Sequence, residues 1–97
     1  MFYSLSTIAC PPETLDEYLK FRESMIEPVL RKAPGFRSRL LLKNRQTEEL
    51  LMIIGWDSDE AAQAYRASVG HDDLRDKTQM LLSGAHPQTE DFDILLG

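Results

Sequence analysis

This sequence is poor in cysteine, in basic residues and in long apolar runs, and each shortage excludes a class of protein. Cys10 is the one cysteine among 97 residues, so no disulfide can form within the chain. The 11 basic residues are outnumbered by 16 acidic ones, and this net charge of −5 argues against nucleic acid or an anionic membrane surface as partner. The apolar runs span only a few residues, whereas a transmembrane helix needs about 20. We therefore expect no nucleic acid and no membrane as partner.

Short chemical motifs are also missing. The sequence contains no metal-ligand spacing, no phosphate-binding loop and no nucleophile elbow, so we expect no metal site. No signal-peptide pattern is visible at Met1-Phe2-Tyr3-Ser4, which makes the cytoplasm the expected location. With 42% hydrophobic and 28% charged residues, the composition is that of an ordinary globular protein, and we expect residues 1–97 to form a single domain.

The segment Ala33-Pro34-Gly35-Phe36 organises the predicted fold. Pro34 cannot continue the helical pattern that precedes it, and Gly35 permits a tight reversal into a strand. Strict alternation along that strand predicts two faces, one with Phe36, Ser38, Leu40 and Leu42 and the other with Arg37, Arg39, Leu41 and Lys43.

The remaining elements follow from periodicity and from start and stop signals. Pro28 should kink the first helix or split it near Ile26. Either Asp57, in a capping box with Glu60, or Ser58 should cap the helix after the third strand. The buried stripe of the first helix is predicted to be Leu15, Tyr18, Leu19, Arg22, Met25, Ile26, Val29 and Leu30. The predicted strands are Phe2–Ala9, Phe36–Lys43, Leu50–Trp56 and Phe92–Leu96, and the predicted helices are 12–32, 57–69 and about 72–82. This order predicts an α+β, ferredoxin-like β-α-β-β-α-β fold with an antiparallel sheet.

The third strand, Leu50–Trp56, is apolar on both faces. The helices of the chain can cover only one face of a sheet this small. The other face needs a second cover, most simply a second copy of the protein. We therefore expect a homodimer that forms through the sheet face.

Three segments together resemble the antibiotic biosynthesis monooxygenase (ABM)-like proteins, which are dimeric α/β barrels. They are Pro34-Gly35-Phe36 before a strand, Gly55-Trp56-Asp57-Ser58 at a strand end, and Ala61–Ser68 followed shortly by His71. The resemblance covers nearly the whole chain and implies that two protomers pack their sheets into a shared barrel. Ligands in this family typically lie between the sheet and the helices of each protomer. Its members include cofactor-free oxygenases of phenolic or quinol-type compounds, heme-degrading enzymes and proteins with no known substrate.

The resemblance suggests catalytic roles for two residues. His71 lies where the family often has a histidine and could act as a base near neutral pH, or it could simply be exposed to water. Tyr65, on the inward face of its helix, could hydrogen-bond a substrate oxygen, or it could be a core tyrosine.

Three further residues are candidates for substrate contact: Ser6, Arg39 and Trp56. Ser6 lies in the first-strand region where heme-degrading relatives carry an asparagine, and Trp56 ends the third strand, where packing is the simpler role. Arg37 and Arg39 could bind an acidic ligand, although we prefer a pair at the barrel rim matched to carboxylates across the dimer.

The predicted function is a cofactor-independent monooxygenase acting on a small phenolic or quinol-type compound, with no cofactor expected. The alternative is a non-catalytic protein, either small-molecule-binding or accessory, on the same dimeric scaffold. Heme degradation is a weaker alternative, because Tyr65 and Arg75 stand where heme-degrading relatives have a tryptophan and a heme-ligating histidine. Whether the chain is an enzyme at all stays open at this point.

Overall fold

A computed structural model describes residues 1–69, 72–82 and 87–97. Its elements are β1 (Phe2–Ile8), α1 (Leu15–Phe21), α2 (Glu27–Lys32), β2 (Phe36–Lys43), β3 (Leu50–Trp56), α3 (Asp59–Val69), α4 (Asp72–Leu81) and β4 (Gln88–Asp93). A 3₁₀ turn (Pro12–Thr14) precedes α1, and a π turn (Arg22–Ile26) connects α1 to α2. The strands form an antiparallel sheet in the order β2-β3-β1-β4. This confirms the predicted α+β, ferredoxin-like fold.

The helices cover one face of the sheet, which we call the inner face. Strand register places alternate residues of β1 and β3 there, because directly paired residues of antiparallel strands point to the same side. The core joins these side chains to apolar residues of the helices: Phe2, Ile8, Leu50, Met52, Ile54 and Trp56 from the sheet, and Tyr18, Phe21, Ile26, Leu30, Ala62, Tyr65, Leu81 and Leu82 from the helical side. The opposite, outer face carries residues such as Leu40, Leu42, Leu51, Ile53 and Phe92, and no helix among the described residues covers it.

The reversal between α2 and β2 has two physical causes. Gly35 has a positive φ of 83°, and the Phe36 amide donates to the Ala33 carbonyl at 3.2 Å, which with Pro34 in the second position is typical of a type II turn. A Cβ on Gly35 would also lie 2.6 Å from the Cβ of Ala61 on α3. The predicted tight reversal is confirmed, and the close packing of α3 adds a second requirement for glycine.

Strict alternation along β2 is wrong at its first residue. Phe36 pairs with Trp56, but Ser38 pairs with Gly55, so the register shifts by one residue at the start of the strand. This irregularity places Phe36 on the inner face with Arg39 and Leu41, whereas Ser38 and the residues that alternate with it lie on the outer face.

The first helix departs from the predicted buried stripe. Tyr18, Ile26 and Leu30 are buried as predicted, but Leu19, Met25 and Val29 are exposed, and Phe21 and Glu27 are buried in their place. The cause is the π turn at Arg22–Ile26, because a residue added to the helical ladder rotates the faces of the helix on either side of it. Pro28 lies in the first turn of α2, so the predicted change of helix geometry near Ile26 is confirmed.

Of the two alternative caps of α3, one is confirmed, and the predicted last strand needs correction. Ser58, and not Asp57, caps α3, since the Ser58 hydroxyl accepts a hydrogen bond from the Ala61 amide at 3.2 Å. The last strand is the polar segment Gln88–Asp93 rather than Phe92–Leu96, because backbone pairing with β1 extends from Thr7↔Gln88 to Phe2↔Asp93. Apolar composition pointed to the wrong segment, and both Leu95 and Leu96 are fully exposed.

No helix within the described parts of the chain is both long enough and apolar enough to cross a membrane.

Candidate functional site

A cavity of about 400 Å³ lies between the inner face of the sheet and the helices. The sheet supplies most of its apolar wall through Ile8, Met52, Ile54 and Trp56, and the π turn adds Ile26. Its volume falls within the ~300–1,000 Å³ that is typical of small-molecule sites. An apolar wall with a few polar groups is the usual composition of such a site, so this cavity is the candidate functional site.

Tyr18 and Arg22 contribute one polar group to the cavity. They lie four residues apart on the first helix and therefore share a face. The Arg22 Nη1 donates a hydrogen bond to the Tyr18 hydroxyl at 3.3 Å, and the guanidinium carbon lies 5.9 Å from the centroid of the tyrosine ring. This cation–π contact holds a positive charge at the helical side of the cavity.

Tyr65 contributes a second polar group. Its ring packs at 5.3 Å from Trp56, with an interplanar angle of 40°. Burial raises the pKa of the Tyr65 phenol above its ordinary value of 10.0; the charge of Arg22 opposes this rise, and Glu27 and Tyr18 add to it. The phenol is therefore protonated at neutral pH. Its hydroxyl makes no hydrogen bond to any other described residue, so it can donate one to a ligand.

The sheet side of the cavity carries short hydroxyl side chains and one ion pair. Ser6 Oγ lies 2.8 Å from Thr89 Oγ1, across the β1–β4 ladder. Arg66 on α3 binds both carboxylate oxygens of Asp91 on β4, at 2.6 and 3.3 Å. This bidentate pair connects a helix to the edge strand and neutralises both charges.

The structure brings three of the predicted site residues together: Ser6, Trp56 and Tyr65 all line the cavity. Their roles in catalysis and binding stay predictions. His71, the predicted base, lies outside the described residues, as does the side chain of Arg75. Among the described residues, no group of three or more histidine, cysteine, aspartate or glutamate side chains is arranged to hold a metal ion.

Arg39 is not among the residues that line the cavity, and its predicted substrate contact stays a prediction. Its guanidinium pairs with Glu27, whose side chain is only 5% exposed. Arg37 pairs in the same way with Asp57. Both carboxylates belong to the same chain, and the matching of these arginines to carboxylates across a dimer stays a prediction.

Sequence reasoning missed four charged or aromatic residues of the cavity: Tyr18, Arg22, Arg66 and Asp91. Arg22 did leave a signal, because an arginine within an otherwise apolar helical stripe needs a reason to be there. Asp91 left none, since its segment did not show the pattern of a strand.

Comparison with known proteins supports the same fold. A family model described as antibiotic biosynthesis monooxygenase matches residues 1–77. Rv0793 from Mycobacterium tuberculosis is 20% identical, with a TM-score of 0.79 over 99% of this chain and 96% of that one. A MhuD variant with two manganese protoporphyrin IX groups per active site is 23% identical, with a TM-score of 0.76 over 100% of this chain and 97% of that one.

A third solved structure is a dimeric ferredoxin-like protein from an uncultured marine organism. It is 16% identical, with a TM-score of 0.79 over 99% of this chain and 89% of that one. No curated protein matches the sequence significantly. Identities this low establish a shared fold and leave the chemistry of this cavity to its own residues.

Proposed function

We propose a function from one premise: this chain belongs to the antibiotic biosynthesis monooxygenase family, whose model matches residues 1–77. The proposed activity is the oxygenation of a small phenolic or quinol-type compound without a cofactor. A phenol with a free para C–H bond reacts with dioxygen to give a quinone and water, and a hydroquinone with a free ring C–H bond gives a hydroxyquinone and water. In both reactions one oxygen atom enters the product and the other leaves as water. We also propose that residues 1–97 form one domain. The proposed location of the protein is the cytoplasm.

The observation that carries the proposal is the apolar cavity with the hydroxyl of Tyr65, which has no hydrogen-bond partner among the described residues. An electron-rich phenol that has lost its proton can pass an electron to dioxygen, and the protein needs only to exclude water and stabilise the charge. Apolar side chains such as Ile54 and Trp56 supply the apolar wall. The Tyr65 hydroxyl donates a hydrogen bond to the substrate oxyanion, and His71 is the proposed base.

Oxygen consumption tests this proposal. A panel of hydroquinones and phenols is presented to the protein in an oxygen electrode, and quinone formation is followed by absorbance. Tyr65→Phe should lower kcat by roughly 100-fold, as expected for the loss of one donor to an oxyanion. Met25→Gln, on the exposed side of the helix, is the control and should keep full turnover. Full turnover by His71→Ala would remove the assignment of the base.

A second candidate function is non-catalytic binding of a small molecule. One observation favours it: within the described lining the carboxylate of Asp91 is held by Arg66, so that part of the cavity offers no free carboxylate base. Ligand binding without oxygen consumption would select this candidate. Hemin belongs in the same titration, because a MhuD variant of similar fold carries a metalloporphyrin, and a Soret shift would report its binding.

The proposed assembly is a homodimer through the outer face of the sheet. Leu40 on that face is 57% exposed, Leu42 on the same strand and Phe92 on the opposite edge strand are about half exposed, and Leu51 and Ile53 lie on β3 between these edges. A contiguous apolar surface of this kind on a sheet needs a cover. The marine ferredoxin-like protein of similar fold is dimeric, which supports a second copy of this chain as that cover.

A further inference from the structure

We infer that the cavity selects an anionic aromatic ligand, a small phenol that carries a carboxylate, and that Arg22 binds the carboxylate. This selectivity rests on the proposed function, because it concerns the same cavity and names the class of compound that enters it. It is nevertheless a property of binding, which can be measured without any reaction.

The charged side chains that line the cavity do not balance one another. Three charged side chains line its described part, namely Arg22, Arg66 and Asp91. The last two neutralise each other through two hydrogen bonds. Arg22 has no carboxylate within ion-pair distance among the described residues. The described lining of the cavity therefore holds one uncompensated positive charge, although the whole chain has a net charge of −5.

Arg22 has more hydrogen-bond donors than the described residues of the cavity use. A guanidinium group has five N–H donors, and one of them meets the Tyr18 hydroxyl at 3.3 Å. That partner is neutral, and Arg22 is only partly exposed. A partly desolvated cation with free donors is stabilised by a planar anion that accepts two parallel hydrogen bonds. A carboxylate has this geometry.

The walls of the cavity are suited to an aromatic ring. Trp56 and Tyr65 form one aromatic side, and Ile26 and Ile54 provide apolar surface. Arg22 lies close enough to Tyr65 for its charge to act on the pKa of the phenol. A ligand with an aromatic ring thus finds a ring surface, a carboxylate partner and a hydroxyl donor within one cavity. The volume of about 400 Å³ favours a ligand with one or two rings.

Arg22 could instead serve only to hold Tyr18 in place. That purely structural role predicts no discrimination between a carboxylate and its amide, because neither ligand would contact the guanidinium. A matched pair of probes of equal shape therefore separates the two roles.

The experiment is a binding titration that uses the fluorescence of Trp56, the one tryptophan of the chain, in the absence of oxygen. The probes are meta-hydroxybenzoate and meta-hydroxybenzamide, which keep a free para C–H bond, together with a hydroxynaphthoate and its amide as a larger pair. Wild type should bind the acid of one or both pairs at least about tenfold more tightly than the amide of the same pair, as expected for a charge-assisted hydrogen bond. Arg22→Gln should abolish that preference, and Arg22→Lys should restore part of it.

The matched control is Arg37→Gln, which removes an arginine that does not line the cavity. It should keep the wild-type preference for the acid. Any of three results would overturn the inference. Wild type could bind acid and amide with equal affinity, it could bind neither pair, or Arg22→Gln could keep the preference for the acid unchanged. The circular dichroism spectrum of each variant confirms folding, and Arg22→Lys keeps the test valid if Arg22→Gln does not fold.

Oxygen consumption, measured separately, distinguishes this inference from the proposed function. A preference for acids without oxygen consumption would retain Arg22 as the carboxylate-binding residue and remove the oxygenase activity. Oxygen consumption with neutral quinols and no preference for acids would retain the activity and remove the role of Arg22.

Discussion

The two faces of the sheet are built from the same strands and yet have opposite environments. On β3, Met52 and Ile54 point inward and are buried, whereas Leu51 and Ile53 point outward and remain partly exposed. Both pairs are equally apolar. The difference shows that the strand itself does not decide burial; the inner face is covered by helices of the same chain, and the outer face is not covered by any described helix.

The largest contrast between the faces should come from their aromatic residues. Trp56→Ala removes a fully buried inner-face side chain and should lower the free energy of unfolding by about 3–5 kcal/mol. Phe92→Ala, on the outer face and half exposed, is the matched variant and should cost less than about 1 kcal/mol in dilute protein. Urea denaturation measures both. Similar losses in the two variants would show that the faces do not differ as described.

The next contrast separates two ion pairs of β2. Arg39→Met leaves the buried Glu27 carboxylate without its partner and should cost about 2–3 kcal/mol, less than for a fully buried pair because Arg39 is 29% exposed. Arg37→Met breaks a pair whose side chains are 57% and 48% exposed, and it should cost at most about 1 kcal/mol. Urea denaturation again gives both values.

A double variant sharpens this contrast. Adding Glu27→Gln to Arg39→Met removes the unpaired charge and should recover part of the lost stability. If the double variant is no more stable than Arg39→Met alone, the cost does not arise from a buried unpaired carboxylate.

Substitutions on the outer face should change dimer formation rather than the stability of the monomer. Leu40→Lys combined with Leu42→Lys places two charges on the proposed dimer surface and should give a monomer in light scattering, while the free energy of unfolding of the monomer changes by about 0.5 kcal/mol or less. Met25→Lys, equally exposed but on a helix, is the control and should leave the dimer intact. A dimer that persists in the double variant would locate the interface elsewhere.

The smallest expected effect is a pH dependence of the inner face. The folded protein binds the proton of the Tyr65 phenol more tightly than the unfolded chain, since burial raises its pKa. Its contribution to stability is therefore complete below about pH 10 and decreases as the pH rises further. Tyr65→Phe should show a shallower loss of stability above about pH 10 than wild type. Equal slopes in wild type and Tyr65→Phe would contradict this, and Tyr3→Phe, on the outer face, controls for the loss of a tyrosine.

Much of the fold was predictable from local patterns. The Pro34-Gly35 reversal, the bounds of β2 and β3, and the change of helix geometry near Pro28 each depend on residues close together in the sequence. The predictions that failed depend on distant partners. β4 is polar and exists because β1 offers it a backbone ladder, and the register shift in β2 becomes visible only in its pairing with β3.

The residues of the candidate site also fall into those that were predictable from the sequence and those that were not. Tyr65 and Trp56 were predictable as inward-facing aromatic residues, because their positions follow from periodicity. The inferred role of Arg22 was not, because an arginine becomes an uncompensated charge only when the described carboxylates near it are paired elsewhere. That depends on Arg66 reaching Asp91 across 25 positions of sequence.

The sequence by itself therefore determined the helices and the first three strands, the tight reversal at Gly35 and a third strand that is apolar on both sides, since each of these follows from local conformational preference. Only the tertiary structure decided which face the helices cover, which arginines find carboxylates and where a cavity of about 400 Å³ remains. Burial, charge pairing and unfilled volume arise from contacts between residues far apart in the chain, and no local pattern encodes them.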